Sequence, residues 1–547
     1  MKRFLTIISL FIISIGFSQT EMTTEKWQED IRFLQSTVHK EYPFLFKKVT
    51  AEAFDAAVDE LVADLPNLQD HQVRVGLSRL VAMFEYGHTQ FPYGYLTESG
   101  IFPINLYLFN DGLYIEGVYN GHEAALGAKV IKIGETPIDK ALEMVRPVVP
   151  VENDSYFKAY GLRFMLSPEV LHAQGVIPEL QTNVEWTLEK NGKTFTYNFP
   201  TISRKEKPRS FNFTVPTDSW ITARDISTTP YYLKYLEDKF YYFEFLEAEK
   251  TLYVRQSSVF DHESESLKDF YKRLFEFMDN NEVDKLVYDV RLNGGGNNYN
   301  NLNLIKGLME RPEINTKGKF FFIIGRDTFS ACQNLTNEIT TYTEAIIVGE
   351  PTAENVNFYG DNRPVQLPNC GLRAYLSFAW WQDKPQWENR DATVPHVAVD
   401  MSYKDYITNS DPVLEAALNF KDDGFILDPM QHLTQLFMTG EMEKLKADAA
   451  KIAKDPKYRY YDFKEEFSNA GNRVLNQGNL EGALFIFDLM SDLYPDSTGT
   501  WYSLGNIQVS LKQYDKAIAS FQKIIDLQPK GMLARTAKKK IEELQKQ

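Results

Sequence analysis

The sequence predicts a multidomain α+β protein, and three observations carry that expectation. Apolar residues recur at three- and four-residue steps up to about residue 85, short alternating strands follow from about 100 to 200, and strands then alternate with helix-like stretches to about 425. A tail that repeats itself closes the chain. At 547 residues the polypeptide exceeds what one hydrophobic core supports, so several domains are the default.

Taken in order, residues 1–18, "MKRFLTIISLFIISIGFS", give a basic start, an apolar run and small residues before Gln19, the pattern of a cleaved export signal. The run is shorter than the roughly 20 residues of a spanning helix. A helical domain is expected over 19–95, with Pro66 separating two of its helices, and a β domain over 96–205, with "NGK" at 191–193 as a hairpin turn. Within it, "GHEAALGAKVIKIGETPIDKALEMV" runs strand, turn, helix and resembles part of a PDZ-type module, a fold that captures peptide ends by strand addition. Pro, Ser and Thr mark a long connector at about 205–235.

The core is expected over 206–425. Its strands are "KTLYVRQSS", "KLVYDVRLN", "KFFFIIG" and "EAIIVGE", and its helices "SLKDFYKRLFEFMD" and "NLNLIKGLME", a sheet covered by helices. After a helical linker at 426–460, the segment 461–547 repeats Gly471, Ala483, Phe487 and Pro495 as Gly505, Ala517, Phe521 and Pro529. That period and residue set resemble the tetratricopeptide repeat and imply a possible protein partner there.

A net charge of -16 argues against non-specific nucleic-acid binding. With the signal removed, no later segment is apolar enough to span a bilayer, so the expected location is periplasmic or extracellular, in soluble form. Cys332 and Cys370 are the only cysteines; an oxidising compartment permits one disulfide between them, and two buried free thiols are the alternative. Their spacing suits no metal site, and no cofactor is expected.

The candidate chemistry lies in three stretches. "KLVYDVRLNGGGNNYNN" sets Gly294, Gly295 and Gly296 directly after a strand, where backbone N–H groups approach a ligand closely; an oxyanion hole and a tight turn are the readings, since a phosphate cradle lacks its Gly-Lys-Ser/Thr ending. "IIGRDTFSACQN" puts Ser330 after a strand and before a helix, as a nucleophile or a helix cap. "VGEPTAENVN" follows.

Together these stretches resemble the tail-specific and C-terminal processing serine peptidases and their tricorn-core-like relatives, over about residues 22–420. The resemblance implies a core of the tail-specific protease/crotonase-like type and an acyl-enzyme peptidase acting on peptides or unfolded proteins. It makes Ser330 the nucleophile, with the N–H of Ala331 and one from Gly294 or Gly295 as the oxyanion hole. In the C-terminal processing branch a lysine is the base; Asn355 stands at that place here, and a neutral amide accepts no proton. The tricorn-like branch draws a histidine from its N-terminal helical region, and "FEYGHTQF" nominates His88, although Tyr86 and Gly87 stand where relatives often carry an acid or a serine. Activity is then expected to rise with pH near a histidine's ordinary pKa of about 6.5. "WENRDATVPHVAVD" points to Glu388 as the third group, with Asp391 as the nearby alternative. A peptidase-fold binding protein without turnover, and an esterase, are the rival readings.

Overall fold

A computed structural model of the chain describes residues 22–208, 212–387 and 389–546. The expected export signal, and Glu388, lie outside the described residues.

Three helices open the described chain: Thr24–Glu41, Ala51–Asp64 and Asp70–Ala82. Thr23 and Thr50 cap the first two through their hydroxyls, and Pro66 sits in the tight turn Leu65–Asn67 that separates the last two. Their apolar stripes, Trp27, Ile31, Leu34 and Val38 on the first and Phe54, Val58 and Leu61 on the second, are buried.

An antiparallel sheet follows, ordered Ile104–Phe109, Gly112–Tyr119, Lys129–Ile133, Asn183–Lys190, Lys193–Pro200. Along Asn183–Lys190 the inward residues are Val184, Trp186 and Leu188, the period of two that a sheet with one solvated face requires. Asn191 and Gly192 turn the hairpin with φ of 53° and 71°, the left-handed pair of a type I′ turn. The stretch that reads as a connector is more than one: Trp220–Thr222 pairs with Gly112–Tyr119 and extends this sheet.

The second sheet is six-stranded, ordered Val397–Ala398, Ile346–Gly349, Phe320–Ile324, Lys285–Asp289, Thr251–Gln256, Tyr241–Leu246, parallel except for the last pair. Phe320–Ile324 is apolar and buried at every position because helices cover both faces. One face packs on Leu267–Asn280, Leu302–Met309 and Ala331–Tyr342. The opposite face shares a core with Val413, Leu433, Leu445, Tyr458, Phe463 and Phe487, so the sheet and the C-terminal helices are one packed body there.

The hairpin Phe358–Gln366/Arg373–Trp381 leaves this core and joins the N-terminal one, where Tyr359, Val365 and Leu376 are buried with Phe54 and Phe84. Its turn is fixed by Asp30, whose carboxylate accepts from the N–H groups of Asn369 and Cys370 at 2.8 Å each. Cys332 and Cys370 are both free thiols, the first buried.

The tail forms helical pairs Phe463–Asn476/Leu480–Leu493 and Thr498–Ser510/Tyr514–Leu527, then Met532–Leu544. A Cβ at Gly471 would lie 2.7 Å from the Phe487 ring, and one at Gly505 would lie 2.7 Å from the Phe521 ring. The repeated glycine thus admits the repeated phenylalanine. Gly505→Ala is expected to cost about 1–3 kcal/mol through overpacking. Gly499→Ala, in the same helix with nothing within 4 Å, should leave the helix as stable or stabilise it. Hydrogen exchange of Thr498–Leu527 in the full chain reads both; equal protection in the two variants would refute the packing argument.

Candidate active site

The three motif stretches converge because each follows a parallel strand at its C-terminal end, where open α/β sheets place their ligands. Lys285–Asp289 leads into Gly294–Gly296, Phe320–Ile324 into Ser330, and Ile346–Gly349 into Glu354 and Asn355. Arg291 secures the first loop: its guanidinium forks onto Asp411 at 2.8 and 3.0 Å and also bonds Asp289.

Ser330 sits at φ 57°, ψ -128°, in a region that side chains rarely occupy, at the entry to the helix Ala331–Tyr342. Its hydroxyl does not cap that helix. The turn is held by Thr328, whose hydroxyl accepts from Gly325 N–H at 3.0 Å, and by Phe329 N–H donating to Asn293 O at 3.1 Å. Gly295 lies against the serine; a Cβ there would come within 2.6 Å of Ser330 Cβ. Of the two glycines the sequence leaves open, Gly295 donates its N–H to Asn293 Oδ1 at 2.9 Å. The N–H groups of Gly294 and Ala331 have no recorded acceptor among the described residues.

His88 and Ser330 line one cavity of about 1090 Å³, together with Gly294, Gly295 and Gly296. The imidazole stacks on Phe329, with centroids 4.8 Å apart, and faces Phe358 at 6.3 Å. Its backbone is fixed by the hairpin: His88 O accepts from Asn362 Nδ2 at 2.9 Å, Thr89 Oγ1 bonds Ser377 Oγ at 2.8 Å, and Gln90 pairs with Tyr375. Burial pulls the ring's pKa down from its ordinary value to about 4, so His88 is neutral at pH 7. No hydrogen bond joins Ser330 Oγ to the ring in this geometry. Such bonds tighten when substrate docks.

Two carboxylates that the sequence reading did not select complete the arrangement. Glu354 is fully buried; Oε2 accepts from Ser330 N–H, and Oε1 stands 3.5 Å from His88 Nε2, neither atom of that pair having another partner. Glu152 Oε1 accepts from Gly87 N–H at 2.6 Å, and its Oε2 from Asn355 N–H at 2.9 Å and from Asn355 Nδ2. Burial drives both carboxyls upward, Glu152 to about 7 and Glu354 well above its ordinary range, each opposed in part by the N–H groups it accepts from.

Gly87 carries no side chain because a Cβ would lie 2.3 Å from the Tyr156 ring and 2.9 Å from Phe329. Asn355 receives a hydrogen bond from Lys48 Nζ at 3.1 Å on its Oδ1. A cation therefore reaches this place from the N-terminal helical unit. The sequence signal for Glu354 was its position one residue before Asn355, but a loop glutamate reads as a solvated charge until its burial is known. Asp391 is exposed and lines a different cavity from Ser330. Among the described residues no group of three or more His, Cys, Asp or Glu is placed to hold a metal ion, and no helix is long and apolar enough to cross a membrane.

No curated protein matches this chain. Solved structures similar to it include mature CPAF, at 11% identity over 74% of this chain and 99% of that chain, TM-score 0.49. The photosystem II D1 C-terminal processing protease is 14% identical over 69% of this chain and 94% of that one, TM-score 0.33. The tricorn protease is 14% identical over 73% of this chain and 37% of that one, TM-score 0.34. A tetratricopeptide-repeat family model matches residues 500–530, the helical pair Thr498–Ser510 and Tyr514–Leu527, and the chain carries that repeat.

Proposed function

We propose that the protein is an exported serine peptidase that cleaves peptide bonds through an acyl-enzyme on Ser330. One observation carries this reading: a serine held at positive φ opens into the same cavity as a half-buried, neutral histidine, and one buried glutamate touches both segments. In the proposed reaction His88 accepts the proton of Ser330 Oγ as the oxygen attacks the carbonyl. The developing oxyanion takes the N–H groups of Ala331 and Gly294. Glu354 orients the imidazole through Oε1, the part expected of Glu388 from the sequence. Glu152 is a positioning residue that ties the His88 loop to the Glu354–Asn355 segment. Export rests on the N-terminal sequence, and the repeats supply the proposed surface for a protein partner or a larger substrate.

Covalent labelling of the full chain by a fluorophosphonate, with mapping of the modified residue, tests the reading. Label on Ser330 together with new amino termini from an unstructured protein substrate is the expected result. An unlabelled chain that binds peptides without cleaving them would replace it with the binding-protein reading.

A further inference from the structure

The six-stranded sheet ends on an unprotected strand. Tyr241–Leu246 pairs with Thr251–Gln256 on one side, and among the described residues no strand pairs with its other side. The phase of the pairing is set by Ser257 N–H, which donates to Phe240 O at 2.7 Å just before the strand begins. Antiparallel strands alternate between bonded and non-bonded pairs, so Tyr242 and Glu244 bond inward. Tyr241, Phe243 and Phe245 therefore direct their N–H and C=O groups out of the sheet.

Exposed edges are usually blunted by a charge, a proline or a bulge. Here the register runs unbroken from Tyr241 opposite Gln256 to Leu246 opposite Thr251, with no proline in the strand. Its one charged residue, Glu244, is neutralised by Lys234 Nζ at 2.9 Å. A groove of about 420 Å³ follows this edge, walled by Lys239 and Tyr242 on one side and by Glu265 and Arg273 on the other. The second wall is held by the chain itself: Arg273 forks onto Glu265 at 2.9 and 2.8 Å, and Tyr241 Oη donates to Glu265 O. At the opposite end of the sheet Val397–Ala398 is two residues long, too short an edge to pair with another chain.

A second observation names the occupant. Two copies of Tyr241–Leu246 laid antiparallel about Phe243 set Phe243 opposite its own counterpart and Tyr241 opposite Phe245 of the other copy. Every outward N–H then meets an outward C=O, the condition an antiparallel ladder imposes. The same two-fold brings Lys239 to Glu247 of the other copy, because the two residues stand equally far from Phe243 on either side. Both side chains are exposed, and neither forms an ion pair among the described residues. The strand is thus complementary to itself in backbone and in charge.

We infer that two copies of the chain join through Tyr241–Leu246, with a two-fold axis at Phe243 and a continuous sheet of six strands from each copy. Such a contact is isologous: it closes on itself and leaves this edge free in neither copy. The inference stands apart from the peptidase reading.

Sedimentation equilibrium of the full chain, with residue-resolved hydrogen exchange, tests it. The wild type is expected to reach twice the chain mass at micromolar concentration, with the amides of Tyr241, Phe243 and Phe245 as slow to exchange as those of Tyr242 and Glu244. Lys239→Glu and Glu247→Lys should each weaken the dimer by about tenfold, because the two-fold repeats every charge contact and like charges set opposite each other repel. Either change should speed exchange at the three outward amides and leave the inward two protected, a pattern that misfolding does not give. Lys239→Glu combined with Glu247→Lys should restore the wild-type dissociation constant. A chain that stays monomeric at its highest soluble concentration overturns the proposal. So does a dimer that both single changes leave intact, that the combined change fails to restore, or in which the outward amides exchange rapidly. Phe240 lines both this groove and the Ser330 cavity, so a peptide strand is the competing occupant. Protection of the outward amides in a monomer only after an unstructured peptide is added would assign the edge to that peptide and reject the dimer.

Discussion

Ser330→Ala is expected to abolish both fluorophosphonate labelling and peptide cleavage while leaving thermal unfolding nearly unchanged. The substitution deletes one oxygen, and no hydrogen bond of that oxygen holds the helix Ala331–Tyr342. The backbone that shapes the turn is fixed instead by Thr328, Asn293 and Glu354. The strained φ of 57° is as unfavourable for alanine as for serine, so the change brings no new strain. Cleavage of a peptide library at the wild-type rate by this variant would remove Ser330 from the mechanism.

His88→Ala should lose on the order of 10⁴- to 10⁶-fold in kcat, because a serine and its base act as a unit. The structure also moves the expected pH dependence. An ordinary histidine would switch near 6.5, whereas burial between Phe329 and Phe358 pulls His88 to about 4. Protonated imidazole accepts nothing from serine, so kcat/KM should rise with pH through about 4 and be flat across the ordinary histidine range. Asn355→Ala should cost far less, since its amide only bridges Lys48 and Glu152. Near-normal turnover in His88→Ala, or a limb at 6.5 in the wild type, would assign the base to another group.

Local chemistry was legible in the sequence. The "NGK" hairpin and the repeated Gly–Phe pair announce themselves because their physics spans a few residues or a fixed period. The glycine run and Ser330 stood out through a family resemblance, which also carried His88. What the sequence concealed depends on contacts between distant segments. Glu152 and Glu354 look like loop charges until folding buries them. The hairpin Phe358–Gln366/Arg373–Trp381 escaped because its strands alternate weakly, with one partly exposed face. The stretch taken as a connector hid a strand for a similar reason: Trp220–Thr222 is only three residues long.

That hairpin has a consequence in time. It supplies the bonds that fix the backbone at His88, and its Asn362 is 274 residues further along the chain. A ribosome works from the N-terminus, so the proposed base is made early and set in place late. At on the order of 5–20 residues per second, tens of seconds separate the two events. Throughout that interval, and through any passage of the unfinished polypeptide across a membrane, the proposed nucleophile and base cannot act together. On the proposed mechanism, the newborn chain is therefore inert toward itself and its neighbours until the hairpin ending at Trp381 has emerged.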